Sequence, residues 1–162
     1  MRIAILVGGY PPITWNQAPG SRVLHLRDVL ARKGCQALVV GTPATQSDAP
    51  IDGVVYVRSQ LGPGLPGRAL GLLWQQLIVV RECIRRRPDL VILRGYPSAT
   101  AVLVLRTLVP NVVFDFHGFA YEEQRLRGRR ILPLFSWLLD NLALRSATQV
   151  LVTHQRDADR MS

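Results

Sequence analysis

Apolar residues recur along this chain in two rhythms. Short, nearly continuous runs rich in Val, Ile and Leu stand at 2–8 (RIAILVG), 36–42 (QALVVGT), 53–58 (GVVYVR), 89–94 (DLVILR), 111–117 (NVVFDFH) and 149–154 (QVLVTH). Runs of this length without polar alternation read as strands buried on both faces. Between most of them the apolar spacing lengthens to three and four, the period of a helix. One such segment starts at Ser21, a cap candidate, and stops at Gly34, which suits the left-handed residue after a helix. A second runs from Arg68 to Arg87, with Leu70, Leu73, Trp74, Leu77, Val80 and Ile84 on one stripe and Pro88 preventing continuation. Residues 98–107 are short and apolar, and Ile131, Leu134, Phe135, Leu138, Leu139 and Leu142 mark a further stripe in a helix ending near Ser146. Stripes of this kind are expected to cover a sheet.

Strand and helix in alternation, joined by right-handed crossovers, predict an α/β fold: a Rossmann-like open parallel sheet of about six strands with helices on both faces. The expected strand order is 3-2-1-4-5-6, with the chain reversal between the first and fourth strands. The loops after those strands, residues 8–21 (GGYPPITWNQAPGS) and 94–99 (RGYPSA), would flank the crevice. The connection PATQSDAPID (43–52) is the one place where a crossover helix is missing or very short, and LGPGLPG (61–67) reads as a mobile surface loop. Residues 1–162 are taken as one domain.

Composition narrows the class. With 48% apolar and 19% charged residues, the chain can build a core and is not a disordered segment. Twenty basic residues against eleven acidic ones give +9, and every basic residue except Lys33 is arginine. That excess calls for an anionic partner: phosphate groups or an acidic membrane surface. Nucleic acid is set aside, because no helix-turn-helix, RNP or zinc pattern accompanies the charge. Cys35 and Cys83 are too few and too far apart for a disulfide scaffold or a zinc site, which fits a reducing cytosol. The N-terminal apolar run lacks a cleavage site and reads as a first strand, and the apolar run Ala69 to Val80 is short of the roughly 20 residues a membrane span needs. A cytoplasmic protein, peripheral at most to the inner face of a membrane, is expected.

Candidate chemistry gathers at the carboxyl ends of the strands, where open α/β sheets bind ligands. Gly8 and Gly9 open the first loop, and Gly20 and Ser21 close it directly before a helix, whose N-terminal N–H groups can receive a phosphate. The spacing is not GxGxxG and no acid closes the second strand, so a dinucleotide site is disfavoured; the same glycines also suit a plain turn. His117 ends the fifth strand, where an imidazole can bond a hydroxyl or phosphate oxygen, or be satisfied by backbone. Asp115, two residues earlier, is a candidate to orient that ring. Glu122 and Glu123 fit a base or, preferably, the first-turn acids of a helix. Arg125, Arg127, Arg129 and Arg130 precede an aromatic-rich apolar stripe, and the arginine run, more than the helix face, is the expected membrane or anion patch. Arg85, Arg86 and Arg87 suit the negative end of a helix.

Taken together, MRIAILVGGYPP, RVLHLRDVLARKGCQALVVGTP, RPDLVILRGYPS, NVVFDFHG and ATQVLVTHQRDADRM resemble the N-terminal half of GT-B glycosyltransferases, family 4 in particular, across essentially the whole chain. The resemblance implies two Rossmann-like domains facing across a cleft. The C-terminal one, which this chain ends before reaching, holds most of the nucleotide-sugar donor, and the N-terminal one supplies the acceptor surface. It further implies a retaining transfer to a hydroxyl acceptor, such as a lipid-linked or polysaccharide precursor, with no metal and no other cofactor. By the same resemblance His117 reaches the transferred sugar, Gly20 and its neighbours face the donor diphosphate, and Arg94, Gly95 and Tyr96, with Glu122, line the acceptor side. The family's Gly-Gly loop stands here as Ala18-Pro19-Gly20-Ser21, and its Gly-His-Glu-Val as Gly34-Cys35-Gln36-Ala37. Alone, such a half would be inactive and would need a donor domain or partner subunit. The alternative is a non-catalytic Rossmann-like module that docks on a partner.

Overall fold

Val39, Val40, Val91, Leu93, Val112 and Phe114 are wholly buried, and they belong to the central strands of one parallel sheet. The computed structural model describes residues 2–12, 18–43, 50–57, 64–95, 99–116, 122, 125–126, 128 and 132–152. In chain order these form β1 (Arg2–Pro12), α1 (Ala18–Arg32), β2 (Cys35–Thr42), β3 (Val54–Tyr56), α2 (Gly64–Arg86), β4 (Leu90–Arg94), α3 (Ala99–Leu108), β5 (Asn111–Phe116), α4 (Leu132–Ser146) and β6 (Gln149–Val152). The sheet order is β3-β2-β1-β4-β5-β6 with every pair parallel, as the sequence predicts.

Period two divides the strand residues between two layers. Ile5, Val7, Val40, Leu93, Phe114 and Phe116 face the larger core, which Val79 and Cys83 of α2, Val102 and Leu105 of α3, and Ala143 of α4 complete. Leu6, Val39, Ile92 and Val113 face the other way, onto Val23 and Leu24 of α1. Each buried Val, Leu, Ile or Phe side chain among them contributes roughly 1.5–3 kcal/mol. At the amino edge Asp89 ties two strands together: its carboxylate accepts from the Ile3 amide at 2.9 Å and its carbonyl from Asn111 Nδ2 at 2.9 Å. Thr148 does the same for the last strand, its hydroxyl accepting from the Val112 amide and donating to the Val112 carbonyl.

Three sequence expectations change. Gly8 and Gly9 lie inside β1, which runs on to Pro12 through a register irregularity after Val7, a distortion glycine accommodates easily. α1 begins at Ala18, so Gly20 and Ser21 belong to its first turn and Ser21 is not the cap; Pro19 fits there because a first-turn residue needs no N–H. For the same reason Pro66 is accepted near the start of α2, which absorbs Gly64 to Gly67 of the expected surface loop; 61–63 lie outside the described residues. Gly34 takes its expected role, with φ of 78° and its amide on the Ala31 carbonyl.

The helix faces also differ from expectation. Leu70, Leu73, Trp74, Leu77 and Ile84 of α2 are exposed, while Gln75, Gln76, Ile78, Val79, Glu82 and Cys83 turn inward. On α4, Leu134, Phe135 and Leu138 are exposed and Ser136 and Asp140 are buried; Leu139 and Leu142 are half-buried, and Ile131 lies outside the described residues. On both helices the face turned to the sheet mixes apolar residues such as Val79, Cys83 and Ala143 with these buried polar ones, and the stripe of large apolar residues faces out.

Candidate functional site

The register at the carboxyl edge decides which groups meet. Val7 pairs with Leu93 and Leu93 with Phe114; at the next level Arg94 pairs with Asp115 across β4 and β5, while the β1 ladder ends at Val7, directly before Gly8. Arg94 and Asp115 follow Ile92 and Val113 by two residues and therefore share the α1 side of the sheet. Arg22, in the second turn of α1, closes the group: its Nη2 lies 3.4 Å from Asp115 Oδ1, and Arg94 Nε lies 4.0 Å from Asp115 Oδ2. The pairs join α1 to the far half of the sheet, and the space left between them, walled by Leu6, Val23, Leu26 and Ile92, is closely filled at about 10 Å³.

Among the described residues two guanidiniums surround one carboxylate beside the first turn of α1, where backbone N–H groups lack an intrahelical acceptor and the turn itself carries no acidic side chain. Burial pulls the Arg94 guanidinium down from its usual pKa, with Asp115 opposing and Arg22 reinforcing the shift. It stays cationic at neutral pH, as arginines do. Asp115, nearly buried, is the anchor of both arginines. Such an arrangement offers positive charge to a phosphate or another anion lying outside the strand ends.

Sequence reasoning named Arg94, Gly95, Gly8, Gly9 and Gly20, and the structure brings Arg94, Gly8 and the α1 start to one edge. Gly95 follows Arg94 with φ of 69°, its amide 3.4 Å from the Asp115 carbonyl. Asp115 is held by arginines, a role not foreseen for it. Arg22 went unnoticed; the signal for it was the parity that puts 94 and 115 on the α1 side. His117 and Tyr96 lie outside the described residues, as do Arg127, Arg129 and Arg130. Glu122 has helical backbone and lines an open hollow with Arg125 and Leu126. A larger hollow lies at the amino edge among Arg2, Lys33, Asp89 and Asn111, away from the strand ends that carry chemistry in such sheets. Among the described residues no group of His, Cys, Asp and Glu is placed to hold a metal ion, and no helix is long and apolar enough to cross a membrane.

Solved structures share this architecture at low identity. Sucrose-phosphate synthase from Thermosynechococcus elongatus superposes with a TM-score of 0.72 at 13% identity, over 99% of this chain and 44% of that one. MurG from Acinetobacter baumannii gives 0.56 at 15%, over 95% and 42%. The UDP co-structure of S. aureus MnaA gives 0.59 at 14%, over 99% and 41%. The chain thus spans less than half the length of each. No match was found among curated proteins. The model of the glycosyl transferase 4-like domain matches residues 18–162, and this chain therefore belongs to the glycosyl transferase 4-like family, as an N-terminal, Rossmann-like GT-B domain.

Proposed function

We propose that this chain is the acceptor-side half of a retaining glycosyltransferase, moving a sugar from a nucleotide-sugar to a hydroxyl acceptor such as a lipid-linked or polysaccharide precursor. The observation that carries the reading is the convergence of Arg22 and Arg94 on Asp115 beside the first turn of α1. Negative charge grows on the donor diphosphate as the glycosidic bond breaks, and fixed positive groups at that place stabilise it. Gly20 in the first turn of α1 lets the diphosphate approach the backbone. Arg94 and Gly95, with Glu122, serve the acceptor, Arg125 takes an acceptor phosphate, and His117 supports the transferred sugar. The remaining donor contacts come from a second domain, in a longer chain or a partner subunit, and this half alone is inactive. A nucleotide partner agrees in kind with the MnaA structure, which holds UDP.

The test is sugar transfer by this chain joined to its donor-binding domain or subunit, with the product anomer read by NMR. Arg94→Gln and His117→Ala are each expected to lower kcat about 100-fold with the fold intact, a loss typical of a charge-stabilising or proton-handling group. Inversion at the anomeric carbon overturns the retaining mechanism. Full turnover in both variants removes Arg94 and His117 from the site, absence of transfer by the joined protein returns the chain to a non-catalytic docking module, and epimerisation of the donor without transfer overturns the transferase reading.

A further inference from the structure

Fifteen large apolar side chains are exposed among the described residues, and five lie on α2, three on α3 and four on α4. These three helices sit on the same side of the sheet, with α3 packed between its neighbours. Trp74 is 47% exposed, Leu77 60%, Phe135 58% and Trp137 47%, with Leu103 and Val104 of α3 in the middle. Polarity runs opposite to that of a water-facing layer. Both carboxylates carried by these helices, Glu82 and Asp140, are buried at 2% exposure, and Gln75, Gln76 and Ser136 are buried with them. The exposed ionisable side chains on the same helices are Arg81, Arg85, Arg106 and Arg145, with no acid among the described residues there.

We infer that this three-helix face is a docking surface for an anionic lipid bilayer. Charge selects that occupant. Arg81 already rests on the buried Glu82 at 3.0 Å, but a second copy placed on this face would set Arg85, Arg106 and Arg145 against one another with no exposed carboxylate on the described residues of these helices, whereas anionic headgroups answer each one. Size and shape agree: helices lying in one layer sink a broad apolar face into the headgroup boundary, and two tryptophans and a phenylalanine are the side chains that anchor there. The contact is therefore the helix face, with arginine along it, and not the 125–130 run alone. It stands whether or not the chain takes part in sugar transfer, because the exposed faces lie on the opposite side of the sheet from α1.

The experiment is sedimentation of the intact protein with phosphatidylcholine vesicles, with and without phosphatidylglycerol. Binding is expected with the anionic lipid, weakened by salt. Trp74→Gln with Leu77→Gln, and separately Phe135→Gln with Trp137→Gln, are expected to weaken it about tenfold or more, since each pair removes inserted apolar area. These side chains are exposed, so circular dichroism and the unfolding midpoint are expected to stay unchanged. Brominated acyl chains are expected to quench tryptophan emission, and the quenching to vanish in the Trp74→Phe, Trp137→Phe double variant. Equal binding to neutral vesicles overturns the anionic selection. Failure to bind either vesicle overturns the proposal: a dimer dispersed by the glutamine variants would then assign the face to a second copy, and a monomer to another segment or partner.

Discussion

Arg87 has φ of 47°, the left-handed conformation that glycine adopts freely and other residues adopt at a cost. It follows the last residue of α2, its amide bonding back to the Cys83 carbonyl, and Pro88 ends the helix. Arg87→Gly is expected to stabilise the protein by about 1 kcal/mol in urea unfolding, and Gly34→Ala, with φ of 78° and open space at the missing Cβ, to destabilise it by about the same. Sequence pattern showed the second of these positions and not the first, since an arginine carries no mark of the backbone it occupies. The cysteines differ in the same local way. Burial, reinforced by Glu82, pushes the Cys83 thiol up to about 12, and the thiolate is the reactive form. A thiol reagent is therefore expected to modify half-buried Cys35 first and Cys83 only on unfolding, read as one fast and one slow equivalent.

At the scale of elements, strands were legible because their apolar runs are short, rich in Val and Ile and bounded by turn residues, whereas the facing of a helix was not. The rule that the large apolar stripe turns inward fails here because the inward faces mix apolar residues with buried polar ones. On α2 the inward face holds Glu82, fixed by Arg86 at 2.9 Å and Arg81 at 3.0 Å. The Arg86 hydrogen bond, with that of Arg81, holds its carboxyl below the ordinary 4.5 despite burial, which acts the other way. A depressed carboxyl contributes stability that is complete above 4.5 and lost as pH falls through the lower folded value. Glu82→Gln is expected to cost about 1–2 kcal/mol at neutral pH and to flatten the acid limb of the stability profile. An unchanged limb would remove Glu82 from that role.

For the whole molecule, alternation of strand and helix was enough to give the order of six strands, because right-handed crossovers leave few alternatives. The site was legible only in part. Arg94 and the glycines were visible as residues after strands, but the Arg22–Asp115 pair spans 93 positions and depends on register. No local window contains both. The outward layer of α2, α3 and α4 was equally hidden, because exposure is a property of how three distant segments pack together.

The order of strands also sets an order in time. β1 is central in the sheet and is made first, yet its neighbour on one side, β4, follows a long way behind: Val7 meets Leu93. At about 5–20 residues per second on the ribosome, that strand waits roughly 4–17 s for its second partner. During this interval β1 has β2 on one side and an open edge on the other, an invitation to pair wrongly with any extended chain nearby. Of these six strands β1 is thus the one most in need of a chaperone's shelter, although it finishes paired on both sides.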